Sequence, residues 1–238
     1  MGALTQRPAS RAGNRLFAFE MTQSFLSMFR HGSTTPGAKG ELHPRERIAR
    51  RSSGFHEFTK QIGGQEGLTI LDLGPTSPRN IEYITSQGHK VYNEDVLAAS
   101  VDPALLIPGK DGEPAIDVEH FFAENLIFRG HQFDAVLCWD IPDYLHESLV
   151  KPMVERICSV LKPGGVLLAF FHTRDAGPEA PYFRYHIAGP DTLELQPVPR
   201  FRLQRVFNNR HIENLFHDYK SLKFFLARDY IREVLVVR

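Results

Sequence analysis

Acids at the ends of apolar runs, and one histidine, carry most of the chemistry that this sequence can offer. Asp72 stands in Leu-Asp-Leu-Gly-Pro-Thr-Ser-Pro (71–78), and Glu94 and Asp95 follow His-Lys-Val-Tyr-Asn (89–93). Asp140, Asp143, Tyr144 and His146 follow Phe-Asp-Ala-Val-Leu-Cys-Trp (133–139), and His172 closes Val-Leu-Leu-Ala-Phe-Phe (166–171). An acid about 20 residues beyond a glycine turn is placed to accept hydrogen bonds from ribose hydroxyls, which makes Asp95 a ligand candidate beside Gly74. Ser77 is a good helix N-cap, and Pro78 is favoured at a first helical position. The turn therefore aims free N–H groups at the space above it, where an anion or carboxylate would be held. Asp140, Asp143, Tyr144, His146 and His172 are each able to position or deprotonate an acceptor group. Each also has a plainer reading, with Pro142 shaping a loop, Asp143 capping the next helix and His146 solvated. The histidines occur singly, without His-x-His or His-x-x-His spacing, so no metal site is expected.

These residues need alternating strands and helices beneath them, and the hydrophobic pattern supplies the alternation. Residues 68–73 form a short apolar run that suits a buried parallel strand. A helix over 78–87 closes at Gly88, and a second strand covers 89–94. Residues 98–114 read as irregular, with Pro or Gly at 103, 108, 109, 112 and 114. A strand over 132–139 leads to an amphipathic helix over 146–161, a tight turn at Lys-Pro-Gly-Gly (162–165) and a strand over 166–171. Strands alternating with helices imply parallel pairing through helical crossovers, hence an α/β, doubly wound, mostly parallel sheet. The runs 222–227 and 233–237 leave no room for a helix between them, so they pair as an antiparallel C-terminal hairpin at the sheet edge.

Composition narrows the class further. With 238 residues, 42% hydrophobic and 24% charged, the chain has the make-up of a soluble globular protein. No apolar run approaches the roughly 18 residues that a membrane span needs. Two cysteines, Cys138 and Cys158, exclude a disulfide scaffold and fit a reducing, cytoplasmic setting. The 28 Lys and Arg balance 28 Asp and Glu, yet residues 1–60 hold ten of the bases and only four of the acids. The neutral total thus joins a +6 arm to a −6 body. Within that arm, residues 14–30 carry a wide apolar helical face, 31–40 read as a loop, and 45–62 read as a second helix stopped by Gly63-Gly64. The acid-free start resembles an organellar presequence, but a helical lid on the following domain is the preferred reading. The expected organisation is an N-terminal arm over 1–66 and a catalytic domain over 67–238, with 174–209 inserted on the substrate side.

The segment 68–238 resembles the class I methyltransferases that use S-adenosylmethionine. Residues 71–77 resemble that family's first motif, Glu94-Asp95 its ribose acid, and Ala-Glu-Asn-Leu-Ile-Phe (123–128) its adenine segment. Residues 133–140 resemble its fourth-strand motif, and Leu-Lys-Pro-Gly-Gly (161–165) closely matches the turn before its fifth strand. The resemblance implies a Rossmann-like seven-stranded sheet whose last strands are reversed. It also implies S-adenosylmethionine as cofactor, held by Asp72, Gly74, Thr76, Ser77, Asp95, Phe122, Ala123 and Trp139. The first motif departs from the family in its glycines, since Thr76 and Pro78 occupy the next two glycine positions, and Phe122 replaces the acid that usually precedes Ala-Glu. Hydroxyls of Thr76 and Ser77 would then replace lost backbone contacts to the methionine carboxylate.

Methyl transfer from a sulfonium is an in-line displacement, so alignment supplies much of the rate, and a base is needed only for an acceptor that holds its proton. Asp-Ile-Pro-Asp-Tyr (140–144) has a surface likeness to the Asp-Pro-Pro-Tyr motif of nucleic-acid amino methyltransferases, but Ile141 and Asp143 break the proline pair. The favoured function is therefore methylation of O or N on a small-molecule acceptor. The alternatives are a tRNA or rRNA methyltransferase gripping phosphates with the basic arm, and a non-catalytic module that keeps the fold. The insertion's Tyr182, Phe183, Tyr185, His186, Phe201 and Phe207 could enclose a planar molecule, stack on bases, or form an ordinary β-ribbon.

Overall fold

The computed structural model describes residues 47–109, 112–173, 180–198, 200–226 and 229–238. The helix expected over 14–30 and the loop over 31–40 lie outside them. In chain order the described elements are β1 (Ile48–Arg51), α1 (Ser53–Ile62), β2 (Thr69–Asp72), α2 (Pro78–Ser86), β3 (Lys90–Asn93), α3 (Val96–Ser100), β4 (Leu106–Pro108) and β5 (Pro114–Ile116). There follow α4 (Val118–Glu124), β6 (Phe133–Trp139), α5 (Ile141–Tyr144), α6 (Glu147–Val160), β7 (Leu161–His172), β8 (Phe183–Ile187), β9 (Thr192–Pro197), α7 (Asn209–Leu215), β10 (Ser221–Leu226) and β11 (Ile231–Val237). None of these helices is long and apolar enough to cross a membrane.

The main sheet runs β10-β11-β7-β6-β2-β3, with β7, β6, β2 and β3 parallel and the β10–β11 hairpin antiparallel at one edge. It is the expected α/β class, with six strands among the described residues instead of seven. The difference lies beyond β3, where β4 (106–108) and β5 (114–116), in and next to the stretch 98–114 expected to be irregular, pair as a separate antiparallel sheet. Asp102 caps the short 3-10 turn before that sheet, and its side chain accepts from Ala104 N at 2.9 Å.

Strand periodicity divides the core in two. Along β6 and β7, Val136, Cys138, Leu167, Ala169 and Phe171 join the layer beneath α5, α6 and α7. The alternate residues Ala135, Leu137, Trp139, Val166, Leu168 and Phe170 join the layer that holds Phe55 and Phe58 of α1 and Tyr185 and Leu195 of β8 and β9. Both faces of these strands are covered, which explains why they read as continuous apolar runs. The turn at 162–165 sits inside β7 as a bulge. Phe133 pairs with Leu161 and Ala135 with Val166, and Gly164 takes φ +78°, the left-handed region open to glycine.

The helix expected over 45–62 begins only at Ser53. Ser52 is extended (φ −131°, ψ 113°), and its Oγ accepts from Phe55 N at 3.0 Å, so the chain before it is free to pair as a strand. β1 does so with β9, giving the three-stranded antiparallel sheet β1-β9-β8. α1 docks on β7 and β11 through buried Phe55, Phe58 and Ile62. Its first turn is seated on Glu233 of β11, which accepts from Gly54 N. Arg50 of β1 reaches the same carboxylate at 2.6 Å and also pairs with Asp229.

Candidate active site

Strand order reverses between β3 and β6 on either side of β2, so the crevice at the carboxyl ends of β2 and β6 is the ligand position of such a sheet. Asp72, at the end of β2, is buried and accepts from Gly74 N (3.1 Å), Asn80 Nδ2 (2.9 Å) and Trp139 Nε1 (2.7 Å). Burial pushes its carboxyl up to about 6 against the pull of these donors, Asn80 and Trp139 foremost. Trp139 reaches Asp72 from the end of β6 in a left-handed conformation (φ +51°), a costly position for a bulky residue. Its indole is also stacked on Tyr185, with ring centroids 5.0 Å apart and planes 2° from parallel.

That indole lies on the glycine turn. A Cβ at Gly74 would stand 2.8 Å from Trp139 Cδ1 and 3.1 Å from Nε1. Gly74→Ala is expected to lower stability by about 1–3 kcal/mol through overpacking. A Trp139→Leu background should remove most of that penalty, which urea unfolding of the four proteins in the cycle would measure. Equal penalties in both backgrounds would exclude the clash as the cause.

The other first-motif residues are held by neighbours. Ser77 caps α2 through Asn80 N (3.3 Å), and its Oγ meets His186 Nδ1 at 2.8 Å. Thr76 is exposed and bonded to the Asn93 side chain, whose Nδ2 donates to the carbonyls of Asp72 (3.0 Å) and Gly74 (2.8 Å). Asp95 is half-buried and caps α3, with Oδ1 accepting from Ala98 N at 3.0 Å. Phe122 and Ala123 are not brought to this crevice. They lie on α4 and line a groove with Pro152 and Arg156 of α6. The part of the expected adenine segment that does reach the end of β3 is Leu126, whose N–H donates to Glu94 Oε1 at 2.7 Å.

Beyond Trp139 the chain enters α5, and two fully buried acids stand there, Asp140 at the N-cap and Asp143 inside the helix. Asp140 Oδ2 accepts from Tyr185 Oη at 3.0 Å, while Oδ1 has no hydrogen-bond partner among the described residues. Burial pushes this carboxyl up to about 7, with His172 nearby pulling it down and Asp143 pushing it up. Asp143 Oδ2 accepts from both His172 N (2.6 Å) and His172 Nδ1 (2.9 Å). Burial raises the Asp143 carboxyl to about 6 despite those bonds. The His172 imidazole has its affinity for a proton lowered by burial, but Asp143 and Asp140 outweigh that and raise it overall. Tyr144 stands edge-on to the His172 ring and donates to the carbonyl of Pro181 at 2.9 Å. Thus Asp140, Asp143, Tyr144 and His172 form one cluster. His146 stands apart, where it caps α6 through Ser148, its ring nitrogen 3.3 Å from Ser148 N. Sequence reasoning misses Asn80, Asn93 and Arg50, because an Asn in a first helical turn or at a strand end and an Arg in a basic stretch carry no distinguishing pattern.

Residues 71–169 match the family model of the methyltransferase domain. The matched segment runs from the end of β2 into β7 and so includes the crevice described above. Among curated proteins it is 32% identical over 103 residues to a ubiquinone biosynthesis O-methyltransferase of Dinoroseobacter shibae, covering 43% of this chain and 40% of that protein. A protein of the same name from Chelativorans sp. is 30% identical over 102 residues, covering 43% and 39%. The matches thus span about two fifths of these relatives' length. Among solved structures, the 1,6-didemethyltoxoflavin-N1-methyltransferase of Burkholderia thailandensis is 14% identical, covering 98% of this chain and 93% of that one at a TM-score of 0.45. A methyltransferase from Aquifex aeolicus is 15% identical, covering 77% and 88% at a TM-score of 0.43.

The residues of the crevice fit S-adenosylmethionine. S-adenosylmethionine carries a sulfonium and an ammonium, and the crevice offers two buried carboxylates, Asp72 and Asp140, that are bonded by neutral donors and by no cationic side chain among the described residues. One of them, Asp140, has an oxygen left without a donor among the described residues.

Proposed function

We propose that the chain transfers a methyl group from S-adenosylmethionine to O or N of a small-molecule acceptor. The observation that carries this reading is the pair of buried acids, Asp72 and Asp140, tied together through Trp139 and Tyr185 beside the Asp143–His172 pair. When bound, the cofactor supplies an electrophilic methyl group on sulfur. Asp72 and Asp140 would face its cationic groups, and Asp95 and the backbone at Gly74 would hold its ribose and carboxylate. The stacked rings of Trp139 and Tyr185 link the two acids, Trp139 bonding Asp72 and Tyr185 bonding Asp140. His172, oriented by Asp143, would take a proton from an acceptor that carries one. The free thiols, Cys138 buried among apolar side chains, support a reducing cytoplasmic setting.

Isothermal titration of the full chain with S-adenosylhomocysteine and S-adenosylmethionine tests this directly. Binding is expected to tighten between pH 5.5 and pH 8, because Asp72 and Asp140 ionise at about 6 and about 7 and only their charged forms attract a cation. No heat of binding at millimolar cofactor would overturn the reading. The close packing of Trp139 on Gly74 favours a second one, a non-catalytic module in which the indole itself fills the cofactor seat.

A further inference from the structure

A cavity of about 340 Å³ opens beside His172, outside the crevice of β2 and β6. Its walls come from Ile48 of β1, Phe183 of β8, Leu195 of β9 and Ile231 of β11. All of these lie outside the segment 71–169 that matches the family, so the resemblance assigns the cavity no role. His172 reaches it because strand alternation places it on the same face as Phe170 and Leu168, toward the β1-β9-β8 sheet.

We propose that this cavity receives the methyl acceptor, and that the acceptor is an uncharged compound of about one substituted ring presenting an aryl hydroxyl to His172. The proposal rests on the methyl-transfer reading above. The volume is at the lower end of the range of small-ligand pockets, and the walls are apolar. Among the described residues, the cation in its lining is Arg50, which is already held by Asp229 and Glu233. Asp140 and Asp143 stand behind His172, and the neighbourhood is therefore negative, which disfavours a carboxylate or phosphate acceptor.

When Asp143 is ionised it can only accept from His172 Nδ1–H, and in the neutral imidazole this leaves the Nε2 lone pair for a ligand. An aryl hydroxyl, unlike an alkyl alcohol, is acidic enough to share its proton with an imidazole. As the hydroxyl oxygen bonds the methyl carbon, its proton passes to Nε2 and the methyl–sulfur electron pair returns to the sulfur of the sulfonium donor.

The probe is 4-ethylphenol, with 4-ethylbenzoate as its anionic counterpart, added to the full chain and followed by NMR. The phenol should bind, shift the ring proton signal of His172, and exceed the benzoate in affinity at least tenfold. Ile48→Trp, a change at a partly exposed wall residue, should abolish phenol binding while S-adenosylhomocysteine affinity stays unchanged. Should that variant misfold, the His172 signal in the wild-type chain decides alone. Phenol binding without a His172 shift, or benzoate binding as well as phenol, would overturn the assignment. If phenol shifts His172 but S-adenosylhomocysteine does not bind, the methyl-transfer reading falls and the acceptor role with it.

Discussion

Asp140→Asn is expected to make the protein more stable at pH 8 and a poorer binder of S-adenosylhomocysteine. In the folded chain this carboxyl is fully buried, one oxygen has no partner among the described residues, and ionisation is delayed to about pH 7. A folded-state value raised above the ordinary carboxylate value means that the fold prefers the protonated form. The stability contributed by that preference is complete below about pH 4 and is lost as pH rises through about 7. At pH 8 the wild-type chain therefore holds a buried charge that asparagine would not carry. The gain should be about 1–3 kcal/mol larger at pH 8 than at pH 3.5, where the carboxyl is largely protonated in the folded and unfolded chains alike. Binding should weaken by roughly 10–100-fold, the worth of a charge-assisted hydrogen bond. Calorimetric unfolding at the two pH values, paired with isothermal titration, separates the effects. A stability gain of equal size at both pH values would rule out the buried charge as its source.

The second large effect should follow from Arg50→Met. Arg50 joins β1 to Glu233 of β11 at 2.6 Å, and Glu233, 1% exposed, also receives the N–H of Gly54 at the start of α1. Removing the guanidinium leaves the carboxylate buried with too few donors, at a cost of about 3–5 kcal/mol. In a chain of this size that is roughly a 10 °C fall in Tm. Replacing both partners, Arg50→Met with Glu233→Met, should recover most of the loss, because the penalty belongs to the unpaired charge and not to the missing bond. A double-mutant cycle in guanidinium checks it. A single substitution costing less than about 1 kcal/mol would show that water reaches Glu233.

The parallel sheet was legible because its strands are buried on both faces and so write themselves as apolar runs. Residues 133–139 and 166–171 needed no tertiary information to be placed. The terminal hairpin was legible for a related reason, the absence of a helix-length connection between 227 and 233. β1 was not, because Ile-Ala-Arg-Arg owes its strand form to β9, a partner far along the chain, while its composition suits a helix equally well. The site divides in the same way. Asp140, Asp143 and Tyr144 share one short segment, so their proximity was visible, and His172 joined them because β7 is the parallel neighbour of β6. His146 has the same residue chemistry but sits one turn further, where it satisfies the backbone of α6. Phe122 and Ala123 were placed by motif likeness alone, and the helix that holds them turns them toward α6.

The three-stranded sheet has a temporal consequence. Two walls of the cavity beside His172 belong to β1 and β9, and Ile48 pairs with Leu195. On the ribosome β1 emerges early and must wait, unpaired, until residues 192–197 have left the exit tunnel. Contacts so distant in sequence are slow to close, and a waiting strand edge is exposed to wrong partners. A short, doubly arginine-tipped strand is a poor template for aggregation, which suits it to that wait. The central strands can pair through their nearer neighbours well before this clasp shuts, so the newborn chain has a sheet before it has a binding chamber.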